Sequence, residues 1–250
     1  MGDSSYFVHD NVEKAKRIED KQSIILEFLA HETFSTSEIL GQVLGLSRTA
    51  TFKTLKSMEN QDLVRLHHIE YELAQRGKQT IWGLTPTGAL LATDLDNFQI
   101  DFYEAGRIAT STMAHSLAIQ RVKVAGLKKG WTDWISSRKL KQIAAKDKKK
   151  WLQIPDALAT SPDGKTVAFE VEKTIKTPKR YESILSNYAK MFLDETVDQV
   201  FYICPENIAK RLEMLFFKFN KITIDGRSYP VHENVLKRIQ FLSYDEWKNF

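Results

Sequence analysis

Apolar residues in the first part of the chain recur at the spacing of amphipathic helices. One stripe runs through 24–29, a second begins near residue 37, and a third follows Ser47, which we expect to cap a helix ending near residue 60. Two segments, 63–68 and 79–84, predict strands joined by a polar hairpin loop. This order of helices and strands is typical of a winged helix-turn-helix DNA-binding domain.

The pattern changes after a linker near residue 97. A helix is predicted over 102–126, followed by strands over 151–159 and 166–173. Later segments predict a helix over 178–193, a strand over 199–204, a helix over 205–219, and short strands over 222–224 and 239–242. Strands alternating with helices predict a mixed central sheet covered on both faces, and hence an α/β fold class.

Three parts follow from these patterns. We expect an N-terminal arm over 1–20, or a leading helix over 12–20, then a winged-helix domain over 21–97 and an α/β domain over 98–250. The single cysteine excludes an intrachain disulfide and a cysteine-based zinc cluster. No apolar run approaches the roughly 18 residues that a membrane span needs, and the N-terminus has no signal-peptide pattern. We therefore expect a cytoplasmic protein without membrane insertion.

Charge is distributed unevenly along the chain. The net charge is +4, but residues 1–100 have 10 basic and 14 acidic residues, whereas 121–150 has 11 basic residues against two acidic ones. This basic segment suits a nucleic-acid phosphate backbone. A solvated lysine-rich loop is an equally good interpretation of the segment taken alone.

Three acidic residues stand out in the stretch "IPDALATSPDGKTVAFEVEKT". Asp156 belongs to one predicted strand, and Glu170 and Glu172 lie on one face of the next strand, after a turn at 161–164. Three carboxylates on an otherwise apolar strand pair are costly, and a bound Mg²⁺ or Mn²⁺ would remove that cost. We expect all three to be metal ligands and catalytic residues in phosphodiester cleavage, with water as the simplest nucleophile. The alternative is a solvated sheet face.

The same stretch resembles the PD-(D/E)xK motif of nucleases with the restriction endonuclease-like fold. Asp156 matches the first acidic position and Glu170 the second, whereas Glu172 stands where that family usually has its lysine. Lys173 follows directly and is a candidate catalytic cation, although strand alternation places it opposite Glu172. The cationic role stays open among the nearby lysines, Lys173, Lys176 and Lys190.

Most of the chain also resembles the MobC-type relaxases of mobilisable plasmids, which are part of the replication-relaxation family. The shared features are the winged helix, His115 in "MAHSLAIQRV", Pro155-Asp156, and "FEVEKT" followed by "RYESILSNYAKM". The resemblance implies metal-dependent nicking of double-stranded plasmid DNA at a transfer origin during conjugative mobilisation. It also implies an accessory mobilisation protein and a coupling protein as partners.

Relaxases of the common kind use a metal held by three histidines and a nucleophilic tyrosine. This sequence lacks such a histidine cluster, so the carboxylates must hold the metal here. We expect His115 to be a hydrogen-bonded core residue. We expect the tyrosines, Tyr6, Tyr181 and Tyr188, to be packing or phosphate-contacting residues and not covalent nucleophiles.

The third predicted helix carries basic and hydroxyl side chains suited to DNA. Its proposed contacts are Ser47, Arg48, Thr49, Thr51, Lys53 and Lys56, joined by Arg76 and Lys78 from the wing. Residues at the start of this helix are expected to reach base edges, while the lysines bind phosphates. A degenerate winged helix used for dimerisation is the alternative.

Three functions remain from the sequence. The leading one is a metal-dependent DNA nickase or relaxase. The second is a site-specific endonuclease of a defence or transposition system. The third is a winged-helix DNA-binding regulator without catalysis.

Overall fold

A computed structural model of the 250-residue chain describes residues 4–69, 79–92, 102–146 and 151–250. The chain forms two compact units, Met1–Gln120 and Arg121–Phe250. The predicted domain boundary after residue 97 lies outside the described residues. None of the helices in the described ranges is long and apolar enough to cross a membrane.

The first unit contains three helices, a small sheet and two further helices. Its elements are α1 (Ser4–Glu32), β1 (Phe34–Ser35), α2 (Ser37–Leu44), α3 (Arg48–Asn60), β2 (Val64–Ile69), β3 (Gln79–Leu84), α4 (Pro86–Leu91) and α5 (Thr110–Leu127), whose last residues belong to the second unit. The sheet order is β1-β3-β2, with both pairs antiparallel. This is the winged helix-turn-helix order that the sequence predicts.

Local signals set the turn between α2 and α3. Thr36 caps α2 by accepting a hydrogen bond from the Ile39 N–H, and Gly45 ends the helix with a φ of 64°. Ser47 caps α3 by accepting from the Ala50 N–H at 3.4 Å, as predicted. Trp82 on β3 is fully buried, and its indole N–H donates to the Ser37 hydroxyl at 2.9 Å. The packed tryptophan thus fixes the start of α2 against the sheet.

Of the two interpretations of the N-terminal segment, the structure shows the leading helix, because α1 runs without a break from Ser4 to Glu32. One prediction for the first unit is wrong. The helix expected from residue 102 begins only at Thr110. Gly106 in the preceding segment has a φ of 80°, which a right-handed helix does not allow. Tyr103 is buried there, with its ring edge-on to Phe34 at a centroid distance of 5.8 Å.

The second unit is built on a five-stranded mixed sheet. Its elements after α5 are β4 (Thr132–Ser136), α6 (Ser137–Lys146), β5 (Ala157–Thr160), β6 (Thr166–Val171), α7 (Pro178–Leu193), β7 (Gln199–Cys204), α8 (Glu206–Phe216), β8 (Lys221–Ile224), β9 (Arg227–Pro230), α9 (Glu233–Leu236), β10 (Ile239–Ser243) and α10 (Tyr244–Asn249). The strand order is β10-β7-β6-β5-β4, in which β10, β7 and β6 are parallel and the other pairs are antiparallel. The predicted mixed sheet is therefore confirmed.

The two faces of this sheet bury different side chains. One face packs α6, α7 and α8 around a core that includes Ala168, Tyr188 and Tyr202. On the other face, Phe169 and Trp247 place their rings 5.2 Å apart. Strand alternation on β6 separates the two sets, so Glu170 shares the face of Ala168 and Tyr202.

The sequence prediction departs from the structure at two places in this unit. The strand expected over 151–159 starts only at Ala157, because Pro155 has no N–H and the Asp156 side chain bonds to β6 in place of the backbone. The basic segment is not only a loop, since it contains β4 and α6. Leu140 and Ala144 of α6 are buried, so the helix covers the sheet with its apolar side.

Gly88 is predicted to be essential for packing α4 on the end of β2. A Cβ atom added at Gly88 would lie 1.9 Å from the carbonyl oxygen of Leu63. Gly88→Ala should therefore lower the thermal unfolding temperature of the first unit, at a cost of about 1–3 kcal/mol for a forced backbone shift. Leu90→Ala is the matched control, because Leu90 is 82% exposed on the same helix. Equal unfolding temperatures by circular dichroism for both variants would contradict this packing.

Candidate active site and DNA-binding face

Asp156 and Glu170 meet where β5 begins. Ala157 pairs with Phe169 in the antiparallel ladder, which places Asp156 beside Glu170. The Asp156 Oδ2 atom accepts a hydrogen bond from the Val171 N–H at 2.8 Å. This bond holds the Asp156 carboxylate at the strand edge, where it interacts electrostatically with Glu170.

Glu170 is a buried carboxylate with polar neighbours on α7 and on the segment before β5. Glu170 is only 5% exposed. The Oε1 atom accepts from the Tyr188 hydroxyl at 2.6 Å and from the Gln153 amide at 3.0 Å. Burial, reinforced by the negative charge of Asp156, raises the pKa of Glu170 to about 7 despite these two hydrogen bonds. The site therefore favours a proton or a cation at Glu170.

Glu172, the third carboxylate of the motif, has a lysine as its partner. It lies just beyond the end of β6, is 6% exposed, and forms an ion pair with Lys176. The Lys176 backbone N–H donates to the hydroxyl of buried Tyr181 at 3.2 Å, which fixes the loop before α7. The positive charge of Lys176 also acts on Glu170, where it lowers the pKa.

The other two candidate cations lie in different surroundings. Lys173 is an exposed residue just beyond the end of β6. Its pKa is lowered first by partial burial of the ammonium group and then by the positive charge of Arg121. Lys190 forms an ion pair with Asp194 at 2.6 Å on α7. Of the three lysines that the sequence leaves open, Lys176 is the one paired with an acidic residue of the motif.

The donor set at this site fits a hard cation only in part. Over the described ranges, no group of three or more His, Cys, Asp or Glu side chains is arranged to hold a metal ion. The two adjacent carboxylates, Asp156 and Glu170, still offer the oxygen ligands that Mg²⁺ and Mn²⁺ prefer. The buried Tyr202 hydroxyl also finds no hydrogen-bond partner among the residues described, and it is influenced by the charge of Glu170. Metal binding by these residues stays a prediction.

The tyrosines near the motif are packed inside the unit. Tyr181 and Tyr188 are both fully buried, and burial is the main cause that raises the pKa of each, to about 12 for Tyr181. A buried phenol with a raised pKa is a poor nucleophile for DNA. His115 is half-buried on α5. The side chain of Tyr6 lies outside the described residues.

The proposed DNA contacts on α3 divide by exposure. Ser47, Arg48, Thr49 and Lys53 are exposed, whereas Lys56 is half-buried and pairs with Glu59 at 2.5 Å. The prediction that Thr51 contacts DNA is not supported by its position. Thr51 is fully buried and its hydroxyl donates to the Ser47 carbonyl at 2.9 Å, so it has no exposed surface for DNA. The wing residues Arg76 and Lys78 lie outside the described residues.

Three residues that sequence reasoning did not place at the site contribute to it or to the α3 face. Gln153 and Tyr202 lie at the carboxylates, and Phe52 lies exposed on α3. Only Phe52 had a usable signal, because a large apolar residue stands between basic residues where the helical pattern places the solvent face. Gln153 and Tyr202 have no local signal, since the sheet register and the loop before β5 bring them to Glu170.

The fold and site define a winged-helix protein whose second unit is a mixed α/β sheet with a buried acidic site. Residues 26–200, well over half of the chain, match the sequence model of the replication-relaxation family. The chain therefore belongs to the replication-relaxation family. No curated protein gives a significant match.

Two solved structures of ZitR from Lactococcus lactis also show sequence similarity. A double mutant in its apo form is 26% identical over 35% of this chain and 63% of that chain, with a TM-score of 0.25. A single mutant is 29% identical over 29% of this chain and 46% of that chain, with a TM-score of 0.24. The alignment thus spans less than two thirds of either ZitR chain.

The raised pKa of Glu170 predicts a pH-dependent stability in metal-free buffer. Between pH 4.5 and about 7, the folded chain keeps a proton on Glu170 that the unfolded chain has released. The free energy of unfolding should therefore fall as pH rises through this window, with a slope of up to about 1.4 kcal/mol per pH unit. Glu170→Gln should remove this slope.

Urea unfolding followed by tryptophan fluorescence measures the effect, since four of the five tryptophans lie in the second unit. Glu206→Gln is the control, because the Glu206 side chain is 70% exposed. If wild type and Glu170→Gln show the same pH dependence, Glu170 does not titrate near pH 7.

Proposed function

We propose that this protein is a metal-dependent DNA nickase of the relaxase type, acting on double-stranded plasmid DNA. The observation that carries the proposal is the carboxylate pair of Asp156 and Glu170, in a sequence stretch that resembles the PD-(D/E)xK motif. Membership of the replication-relaxation family and the winged helix support DNA as the substrate.

The electrostatics of the pair argue for a cationic ligand. Glu170 is nine-tenths or more buried beside another carboxylate, an arrangement that is unfavourable when both groups are charged. Tyr188 and Gln153 both donate to the Oε1 atom of Glu170, so neither of these two hydrogen bonds uses Oε2. Asp156 and Glu170 would hold the Mg²⁺ or Mn²⁺ ion.

The residues of the chain prepare the site for phosphodiester hydrolysis. A divalent cation, when bound, neutralises the scissile phosphate and promotes ionisation of an attacking water. Tyr188 and Gln153 orient Glu170, and the Val171 N–H orients Asp156. Because Tyr181 and Tyr188 are buried, we propose water as the nucleophile and a nick without a tyrosine–DNA bond.

Lys176 is our proposed catalytic cation. Glu172 stands where nucleases with the PD-(D/E)xK motif usually have their lysine, and it forms an ion pair with Lys176. The charge of Lys176 acts on Glu170, so the ammonium group lies in the electrostatic reach of the proposed metal ligands. A cation there would stabilise the negative charge that develops on the phosphate. Lys173 is the weaker candidate, because burial and the positive charge of Arg121 lower its pKa and so disfavour its charged form.

The wider role follows from the resemblance to MobC-type relaxases. We propose that the winged helix selects a site in a transfer origin and that the second unit nicks it during conjugative mobilisation. The basic residues between 121 and 150 would bind the strand being cut. An accessory mobilisation protein and a coupling protein are the expected partners, and the expected compartment is the cytoplasm.

One observation favours a second candidate. Because no three-ligand group is assembled in the described ranges, a winged-helix regulator with an inactive second unit is the alternative. A regulator would bind duplex DNA with the same face of α3 and leave plasmids intact. A site-specific endonuclease would share the chemistry and yield linear product.

Isosteric replacement of either carboxylate should abolish nicking. Asp156→Asn and Glu170→Gln should each slow conversion of supercoiled plasmid to open circles by at least about 100-fold, the scale of losing one essential electrostatic group. Duplex binding, measured in parallel, should stay nearly unchanged because α3 is untouched. Glu213→Gln, at an exposed position of α8, is the control.

The outcomes of the plasmid assay separate the candidates. The assay is run with EDTA, Mg²⁺ or Mn²⁺, and proteinase treatment afterwards reveals any covalent protein–DNA product. Cation-dependent open circles support the nickase, and linear product supports the endonuclease. No cleavage by wild type, together with sequence-specific binding, would refute both nuclease functions.

Removal of Lys176 should slow nicking while leaving the fold intact. Lys176→Ala alone would remove the ion-pair partner of buried Glu172, so the test uses Lys176→Gln together with Glu172→Gln. We expect this double variant to unfold near the wild-type temperature and to nick at least about 10-fold more slowly. Lys190→Gln is the matched control. Wild-type nicking by the folded double variant would show that Lys176 is not the catalytic cation.

A further inference from the structure

An exposed aromatic residue lies at the centre of the solvent face of α3. The exposed residues of this helix recur at spacings of three and four, as on one face of a helix, and are Arg48, Thr49, Phe52, Lys53, Ser57 and Asn60. Phe52 is 46% exposed, while the opposite side of α3 is buried through Thr51, Leu55 and Met58. The exposed part of this ring is apolar surface whose burial by a partner would be favourable.

The ring of Phe52 is held in one orientation from below. It packs edge-on against the fully buried Trp82, with ring centroids 6.4 Å apart. The Lys56 ammonium lies 5.8 Å from the centroid of each of these two rings. Lys56 is itself fixed by its ion pair with Glu59. The outer part of the Phe52 ring is therefore exposed in a fixed orientation. Phe52 would lose little conformational entropy when a partner binds to it.

The charges around Phe52 favour a polyanion over a second copy of this chain. Arg48 and Lys53 are exposed on either side of Phe52 along the helix. Glu59 is the single acidic residue in the α3 sequence, and it is engaged by Lys56 and by the Leu66 N–H. If two copies met through this face, Arg48 and Lys53 of one copy would lie close to the same basic residues of the other. The repulsion between these like charges opposes association.

Duplex DNA offers one apolar group to such a face. The C5-methyl of thymine is the apolar feature of base edges in the major groove, and phenylalanine is among the side chains that contact it. We infer that Phe52 is a specificity-determining residue that contacts a thymine methyl in the major groove. This inference rests on the proposed binding of duplex DNA by α3.

The spacing on the helix predicts where that thymine lies. Phe52 is one turn beyond Arg48, an advance of about 6 Å along the helix. A base pair occupies about 3.4 Å of duplex. If Arg48 reads a guanine, the thymine read by Phe52 should therefore lie within about two base pairs of it.

The test begins with the full chain in EDTA and a duplex library with a randomised centre. The sequence that wild type enriches is then made with each thymine replaced, one at a time, by deoxyuridine, which removes only the methyl group. One such replacement should weaken wild-type binding roughly three- to fivefold, the effect of one buried methyl. The same replacement should leave the affinity of Phe52→Ala unchanged.

Three further variants make the result specific to Phe52. Phe52→Leu should keep part of the deoxyuridine penalty, because it keeps an apolar contact. Ser57→Ala, at an exposed position of the same face, should keep all of it. Arg48→Ala should weaken binding overall and retain the penalty. Circular dichroism and light scattering check that each variant is folded and has the wild-type oligomeric state.

Each outcome decides a separate point. If wild type enriches a sequence but no deoxyuridine weakens binding, or Phe52→Ala keeps the penalty, the thymine contact is overturned and DNA binding stands. If wild type enriches no sequence, site-specific DNA binding is refuted together with this inference. If Phe52→Ala changes the oligomeric state and not the penalty, Phe52 is a contact between copies, and the inference is overturned.

Discussion

The carboxylate of Glu170 is buried beside that of Asp156, and three segments of the second unit donate hydrogen bonds to this unfavourable pair. Tyr188 reaches it from α7, Gln153 from the segment before β5, and the Val171 N–H holds Asp156 in place. These donors only partly offset burial, because the pKa of Glu170 still rises to about 7. A stable fold has simpler solutions for a buried β6 position, such as another apolar residue. A buried carboxylate with a raised pKa favours either a proton or a bound cation, and the proposed function rests on the cation.

The motif stretch separates into a pair and a positioning residue. Asp156 and Glu170 face each other across the β5–β6 ladder, while Glu172 lies beyond β6 and holds Lys176. This division gives a physical reason for a glutamate at the position where nucleases with the PD-(D/E)xK motif usually carry lysine. In the proposed function, Glu172 does not act on the substrate directly. Glu172 holds Lys176 of the following loop near Asp156 and Glu170. The Tyr181 hydroxyl fixes that loop by accepting a hydrogen bond from the Lys176 backbone N–H.

Much of the fold follows from local signals in the sequence. The cap at Ser47 and the apolar pattern of β7 were sufficient to predict α3 and β7. The predictions failed where tertiary contacts override the local pattern. Tyr103 packs on Phe34 and holds its segment in a non-helical conformation. The Asp156 side chain accepts the Val171 N–H in place of a backbone hydrogen bond between strands. Asp156 and Glu170 were predictable as a pair from hairpin register. Gln153 and Tyr202 were not, because they reach Glu170 through a loop and a parallel neighbour strand.

The central claim is that Asp156 and Glu170 together hold a divalent cation. Electron paramagnetic resonance of Mn²⁺ titrated into the full chain measures this directly, since bound Mn²⁺ loses the signal of the free ion. The account predicts one site in wild type that is lost in Asp156→Asn and in Glu170→Gln, and kept in Glu172→Gln, because Glu172 is paired with Lys176. Unchanged Mn²⁺ binding in both the Asp156→Asn and Glu170→Gln variants would contradict it.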